Sequence, residues 1–175
     1  MAEVKKYEPR LHERQAAEIY AASFSGWPWF EKWTPEDAVN ELRAYHKREN
    51  TGMFVVEEKG KVVGIGIGFP VNDLKAHGMS YLKAKVPQGA YYLADLAVHP
   101  EHRRKGFASL LVKAREAHAA SLGCPAVFGR TRADNVPKIS QFKKDGYAEI
   151  HRAKAVTGGV ESERAYYLKR LRPRA

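Results

Sequence analysis

A single cysteine, Cys124, stands among 175 residues. One thiol cannot form an internal disulfide, so a disulfide-stapled scaffold and a cysteine zinc cluster are both excluded, and an oxidising compartment is not suggested. Long hydrophobic runs are also missing. No stretch approaches the roughly 18 apolar residues of a membrane span, and MAEVKKYEPR at the N-terminus has no apolar signal core, which makes the cytoplasm the expected location. Neither a repeat nor a low-complexity tract appears, and the length fits one domain over residues 1–175. Acidic residues are few relative to basic ones: 20 against 30, a formal charge of +10. That excess favours a phosphate-bearing or other anionic partner and disfavours a polycation. Against nucleic acid, no RNP, helix-turn-helix or zinc-finger pattern occurs, and the cations are spread along the chain.

What is present is 44% hydrophobic and 11% aromatic, arranged as alternating elements. A strand near Val4–Tyr7 leads into a helix over 11–23 that buries Ala16, Ile19, Tyr20 and Ser23. Thr34-Pro35-Glu36-Asp37 has the form of a capping box opening a helix with Leu42 and Tyr45 inward. Strands at 53–58 and 61–69 meet at Lys59-Gly60, where two turn lengths fit. Residues 70–89 read as a long loop. YYLADLAV (91–98) is apolar with little alternation, as in a strand covered on both faces. After His99-Pro100 a helix places Phe107, Leu110, Leu111, Ala114 and His118 on one side and stops at Gly123. Then come a strand at 126–132, a helix at 135–144, and two strands, 147–156 and 164–171, around Gly158-Gly159. The order βααβββαβαββ specifies a mixed α/β sheet.

RRKGFASLL (103–111) sets three cations and a glycine at a helix start. Unsatisfied N–H groups and the positive end of the macrodipole favour an anion there, Gly106 admits close approach, and Arg103, Arg104 and Lys105 add charge. The loop is neither a dinucleotide fingerprint nor a Walker loop, because G-x-G-x-x-G and G-K-[ST] are both missing. LADLAVHPEHRRKGFASLL resembles the acyl-CoA-binding motif of the GNAT N-acetyltransferases, with Arg103, Gly106 and Ala108 at its signature places. NVPKISQFKKDGY is similar to the family's closing motif through Asn135, Phe142, Lys144, Gly146 and Tyr147. The two motifs are correctly ordered.

The resemblance implies a mostly antiparallel sheet with a splayed central strand pair and flanking helices, and acetyl transfer from acetyl-CoA to an amine by direct attack in a ternary complex. It implies that the backbone of Leu96, Ala97 and Val98 pairs with pantetheine. Arg103, Arg104, Lys105, Gly106, Phe107 and Ala108 would surround the pyrophosphate, Asn135 would contact the pantetheine arm, and Phe142 would lie beside the thioester. Many members carry a tyrosine in the place of Phe142 as the acid for the leaving thiolate. Here the acid is left to water, Ser140 or Tyr147.

Asp95 interrupts the apolar central strand and is the first candidate base; the alternative is an ion pair with Arg130 or Arg132. Tyr92 is the second candidate, and strict alternation sets it on the opposite face from Asp95. GWPWFEKW (26–33) packs three Trp and one Phe into eight residues. Trp27, Trp29, Phe30 and Trp33 are expected to recognise the acceptor or, alternatively, to fold back as a core lid. Lys75, Lys83 and Lys85 could add charge at its rim. Gly64, Gly66 and Gly68 leave one strand face bare for a packed helix or for substrate. His99 and His102 lack a third ligand, so no metal is expected, and Cys124 reads as a small buried residue. The acceptor, a small-molecule or N-terminal amine, the acyl length and the oligomeric state, with a homodimer among the options, stay open. So does a second class of function, a non-catalytic binder of acyl-CoA or nucleic acid.

Overall fold

The computed structural model describes residues 1–157 and 159–172; Gly158 of the expected Gly-Gly loop lies outside them. Among the described residues seven strands and four α-helices occur in the expected order: β1 (Ala2–Lys6), α1 (Pro9–Ser25), α2 (Pro35–Lys47), β2 (Gly52–Glu58), β3 (Lys61–Val71), β4 (Ala90–Val98), α3 (Phe107–Ser121), β5 (Ala126–Arg132), α4 (Val136–Lys144), β6 (Ala148–Thr157) and β7 (Val160–Arg170). Strand order is β1-β2-β3-β4-β5-β7-β6; β1–β2, β2–β3, β5–β7 and β6–β7 pair antiparallel and β4–β5 parallel. No helix among the described residues is long and apolar enough to cross a membrane. The chain forms two compact units, residues 1–68 with 94–117 and residues 69–93 with 118–175.

In the first unit α1 and α2 cover one side of β1, β2, β3 and the end of β4. Ala16, Ile19, Tyr20, Leu42, Val55, Ile65, Ile67 and Ala97 form its core. The Thr34 hydroxyl accepts from the Asp37 amide while Asp37 Oδ2 takes the Thr34 amide, so both donors at the start of α2 are satisfied. Lys59 and Gly60 both have positive φ, 52° and 75°, which selects the two-residue turn between β2 and β3.

Helix α3 meets the glycine face of β3. A Cβ on Gly66 would lie 3.1 Å from Arg115 Nε, and one on Gly64 would lie 3.2 Å from Ala97 O and 3.3 Å from a Leu111 methyl, so the bare strand serves a packed helix. The inward face of α3 differs from the one expected. Leu110 is 37% exposed, and Arg115 is buried to 1%.

In the second unit β5 pairs in parallel with β4 over Tyr91–Leu93 and Val127–Gly129 only, while β4 runs on to Val98 and β5 to Arg132. Strand β7 then pairs with β5 along its length, and β6 with β7. Gly129 lets α4 approach: the Phe142 para carbon would sit 3.2 Å from a Cβ there. Residues 72–89 are not a plain loop. They hold two short 3-10 turns, Lys75–His77 and Ser80–Leu82, and bury Met79, Leu82 and Val86.

Candidate active site

Strand β4 carries the first group of site residues. Its alternation slips by one: the Tyr91 hydroxyl meets His118 of α3, yet Val98 also sits against Leu111 of α3, while Asp95 turns to α1 and α2. Strict alternation, which set Tyr92 and Asp95 on opposite faces, is therefore interrupted along this strand.

Asp95 Oδ2 accepts two hydrogen bonds, from the Tyr20 hydroxyl at 2.9 Å and the Tyr45 hydroxyl at 2.8 Å. Its backbone carbonyl accepts from Arg115 Nη1 at 3.1 Å. Arg132, one of the two partners proposed for Asp95, instead holds Asp134 at 2.7 Å. Burial, and after it the Asp95 charge, push the Glu41 carboxyl above the usual carboxylate range. Burial also drives the Tyr20 phenol far up, with the Asp95 charge adding to it, so that phenol stays a donor. A carboxylate, two phenols and a second carboxyl that resists ionisation thus gather around one strand residue. Hydroxyl donors favour the charged form of Asp95, whereas burial disfavours that of Glu41.

The aromatic stretch divides. Trp29 and Trp33 pack on the core of the first unit, and Trp33 stands edge-on to Tyr20 at 5.0 Å while its indole N–H donates to Glu31. Trp27 and Phe30 are 52% and 61% exposed. Trp33 thus packs against one of the two tyrosines that donate to Asp95.

From Val98 the chain enters a short turn, Pro100–His102, and then the helix start. Arg104 and Gly106 have φ of 61° and 83°. The cations there do different work. Lys105 Nζ pairs with Glu58 at 3.1 Å, beside His102 at 2.7 Å, and Arg103 Nε donates to Val98 O. Arg104 makes no ion pair among the described residues. A side chain at Gly106 would meet nothing within 4 Å, so the space in front of this helix start is open. Phe107 is buried in the cluster with Val56, Val63 and Leu111; its amide and that of Ala108 belong to the first turn, where no intrahelical acceptor exists.

In the second unit, Asn135 caps α4 through the Lys138 amide and donates to Thr131 Oγ1. Phe142 stacks on Tyr167 at 4.9 Å, with an angle of 8° between the rings. Tyr92 stacks on Phe128 at 5.0 Å. Lys85 is a strut, with Nζ on Ile150 O at 2.7 Å. Cys124 is buried and its thiol is pushed up by that burial. Among the described residues no group of three or more His, Cys, Asp or Glu is placed to hold a metal.

Sequence reasoning missed Glu41, Arg115 and the hydroxyls of Tyr20 and Tyr45. Tyr20 and Tyr45 did carry a signal, since both fall on the inward stripes of their helices, but an inward tyrosine does not say what its hydroxyl touches.

Residues 14–147 match the model of the acetyltransferase (GNAT) family. The ribosomal-protein-alanine N-acetyltransferase of Brucella melitensis superposes with a TM-score of 0.76 at 16% identity, over 97% of this chain and 99% of that one. The Salmonella typhimurium protein YncA, solved with its cofactor acetyl-CoA, gives 0.73 at 18% identity, over 99% and 96%. An N-acetyltransferase of Staphylococcus aureus Mu50 gives 0.74 at 16%, over 98% and 99%. No curated protein matches in sequence. Likeness at these identities is likeness of fold, and the family assignment rests on the match over 14–147: the chain belongs to the acetyltransferase (GNAT) family, a family of acetyl-CoA-dependent acyltransferases.

Proposed function

We propose that the protein moves an acetyl group from acetyl-CoA to an amine on a small molecule or a protein N-terminus, by direct attack in a ternary complex. The observation that carries this reading is the end of β4 with the loop behind it: a helix start with open space over Gly106 and a charged flank at Arg104. A diphosphate fits such a place, because first-turn amides donate to it and no side chain fills the approach.

Acetyl-CoA supplies an activated thioester. The chain's own residues do the rest. Leu96, Ala97 and Val98 offer backbone groups to the pantetheine amides, and Arg103 to Ala108 form the diphosphate loop, with Arg103 and Lys105 also holding the loop in shape. Asn135 and Phe142 contribute by fixing α4 against β5. The acceptor reaches the site as an ammonium at neutral pH and must lose a proton before it attacks. Asp95, which accepts from the Tyr20 and Tyr45 hydroxyls, takes that proton, and Glu41, whose carboxyl burial pushes up, lies within reach of its charge. Trp27 and Phe30, both exposed, form the rim the acceptor passes.

Calorimetry with acetyl-CoA tests the loop, and thiol release over an amine panel tests the transfer. Wild type should bind at micromolar strength and Gly106→Asp should bind far more weakly, since a carboxylate then occupies the diphosphate's place and φ of 83° strains any side chain. Equal affinity for the two proteins would remove the site. Initial-rate lines should intersect; parallel lines with a trapped acetyl-enzyme would end direct attack.

A further inference from the structure

Gly129 and Thr131 of β5 face α4, through Phe142 and Asn135. Phe128 and Arg130 therefore point to the other face. Register places Tyr92 beside Phe128, Tyr166 beside Arg130, and His151 beside Tyr166. Tyr81 reaches over from the 72–89 segment; its hydroxyl lies 2.5 Å from that of Tyr166. Arg130 is half-buried there, near the Tyr92 and Tyr81 phenols, and donates a hydrogen bond to the Tyr166 hydroxyl.

A guanidinium drawn partly out of water needs a counter-charge or a full set of acceptors. Two other arginines of this chain show both solutions: Arg132 holds Asp134, and Arg115 is met by the carbonyls of Leu111, Ile67 and Asp95. Among the described residues no carboxylate pairs with Arg130. Tyrosine hydroxyls cannot neutralise it. Tyr81 and Tyr166 share two hydroxyl protons, of which one is used in their mutual bond. Arg130 only donates. The second proton is left for water or for a ligand, since Tyr81 is exposed.

We propose that Arg130, with Tyr81 and Tyr166, is a binding site for the carboxylate of a small molecule. Given the acetyl-transfer reading above, on which this part rests, the acceptor is an amine that also bears a carboxylate, the class of free amino acids. The flat fork of Arg130 matches a carboxylate through two parallel hydrogen bonds. A phosphate would call for more charge, and Lys85, which reaches His151 beside Tyr166, already donates to Ile150 O. The stacked Tyr92 and Phe128 give the face an apolar floor for a side chain.

The test is binding, independent of turnover. N-acetyl amino acids with small, aliphatic, aromatic and basic side chains are titrated calorimetrically into the full chain, with and without CoA, alongside their C-terminal amides. At least one acid should bind roughly 10- to 100-fold more tightly than its amide, the worth of a charge-assisted pair. Arg130→Gln should bring the acid down to the amide's level, and Arg130→Lys should keep part of the preference; melting curves check that both variants fold. Equal binding of acids and amides by wild type, no binding of any acid at millimolar concentration, or an unchanged preference in a folded Arg130→Gln variant would overturn the carboxylate site. Absence of acetyl-CoA binding would instead strike the transfer reading, and the titrations without CoA would still decide the carboxylate site.

Discussion

The hydroxyl of Tyr45, on α2, donates to Asp95 Oδ2 at 2.8 Å, and that of Tyr20, on α1, donates to the same oxygen at 2.9 Å. Two neutral donors on one carboxylate oxygen favour its charged form, and burial opposes them. Both helices thereby report on one residue of the central strand. An aspartate used only to pair with an arginine would not need two phenols.

Asp95→Asn keeps the shape and removes the charge. We expect turnover to fall by ~10²- to 10⁴-fold, the usual cost of losing a general base, with partial recovery at high pH where the amine deprotonates by itself. Tyr45→Phe removes one donor from the charged carboxylate, so the acidic limb of the pH–rate profile should move to higher pH. A folded Asp95→Asn variant with an unchanged profile would make Asp95 structural.

Glu41 carries a stability signature of its own. Its carboxyl is raised above the ordinary value of 4.5, by burial first and the Asp95 charge second. A carboxyl raised in the folded state binds its proton more tightly there, so its contribution favours folding below the unfolded pKa and is lost as pH rises through the folded one. At neutral pH the ionised side chain is a cost. Glu41→Gln should therefore raise Tm at pH 7.5, lose that advantage below about pH 4, and lower turnover. Thermal melts at the two pH values check the sign; a lower Tm at pH 7.5 would mean that Glu41 is stabilised by a partner.

Local patterns announce the elements well. Strand β5 lies at 126–132 as expected, and Thr34 to Asp37 forms its capping box, because each depends on neighbours a few residues apart. The site is less legible. Asp95 stands out as an interruption of an apolar strand, but its tyrosine partners lie 75 and 50 residues away in sequence. Arg115 escapes for a different reason. Periodicity assigns faces by hydrophobicity, so it places Leu110 inside, whereas a fully hydrogen-bonded arginine over a glycine strand takes the buried position. Sequence assigns the cations of Arg103 and Lys105 to a ligand, and each has an internal partner.

Phe142 is buried, stacked on Tyr167, with its para carbon aimed at Gly129, which presents no side chain. Phe142→Tyr places a hydroxyl there and should keep or raise turnover, by giving a departing thiolate a proton. Phe142→Ala should cost about 3–5 kcal/mol of stability through the cavity it leaves. Urea unfolding and steady-state rates read the two. Loss of turnover in a stable Phe142→Tyr protein would mean that a hydroxyl at this position does not serve as the acid.

The contact between Gly66 and Arg115 gives the last prediction. Arg115 reaches β3 and β4 only because β3 has no side chain in the way: Nη1 donates to Ile67 O and Asp95 O, both at 3.1 Å, and Nε donates to Leu111 O. A Cβ on Gly66 would sit 3.1 Å from Nε and 3.2 Å from Leu111 Cβ, so it must displace the guanidinium or the helix. Gly66→Ala should then cost about 1–3 kcal/mol, as overpacking does. Arg115→Met should cost on the order of 3 kcal/mol, because two strand carbonyls lose their buried donor. The two losses should not add. Once Arg115→Met has replaced the fixed fork by a flexible thioether, the alanine methyl has less to disturb, and a double-mutant cycle should show coupling of about 1 kcal/mol. Strict additivity in urea unfolding would mean that the methyl is resisted by Leu111 Cβ alone, and that the glycine is not there for the arginine.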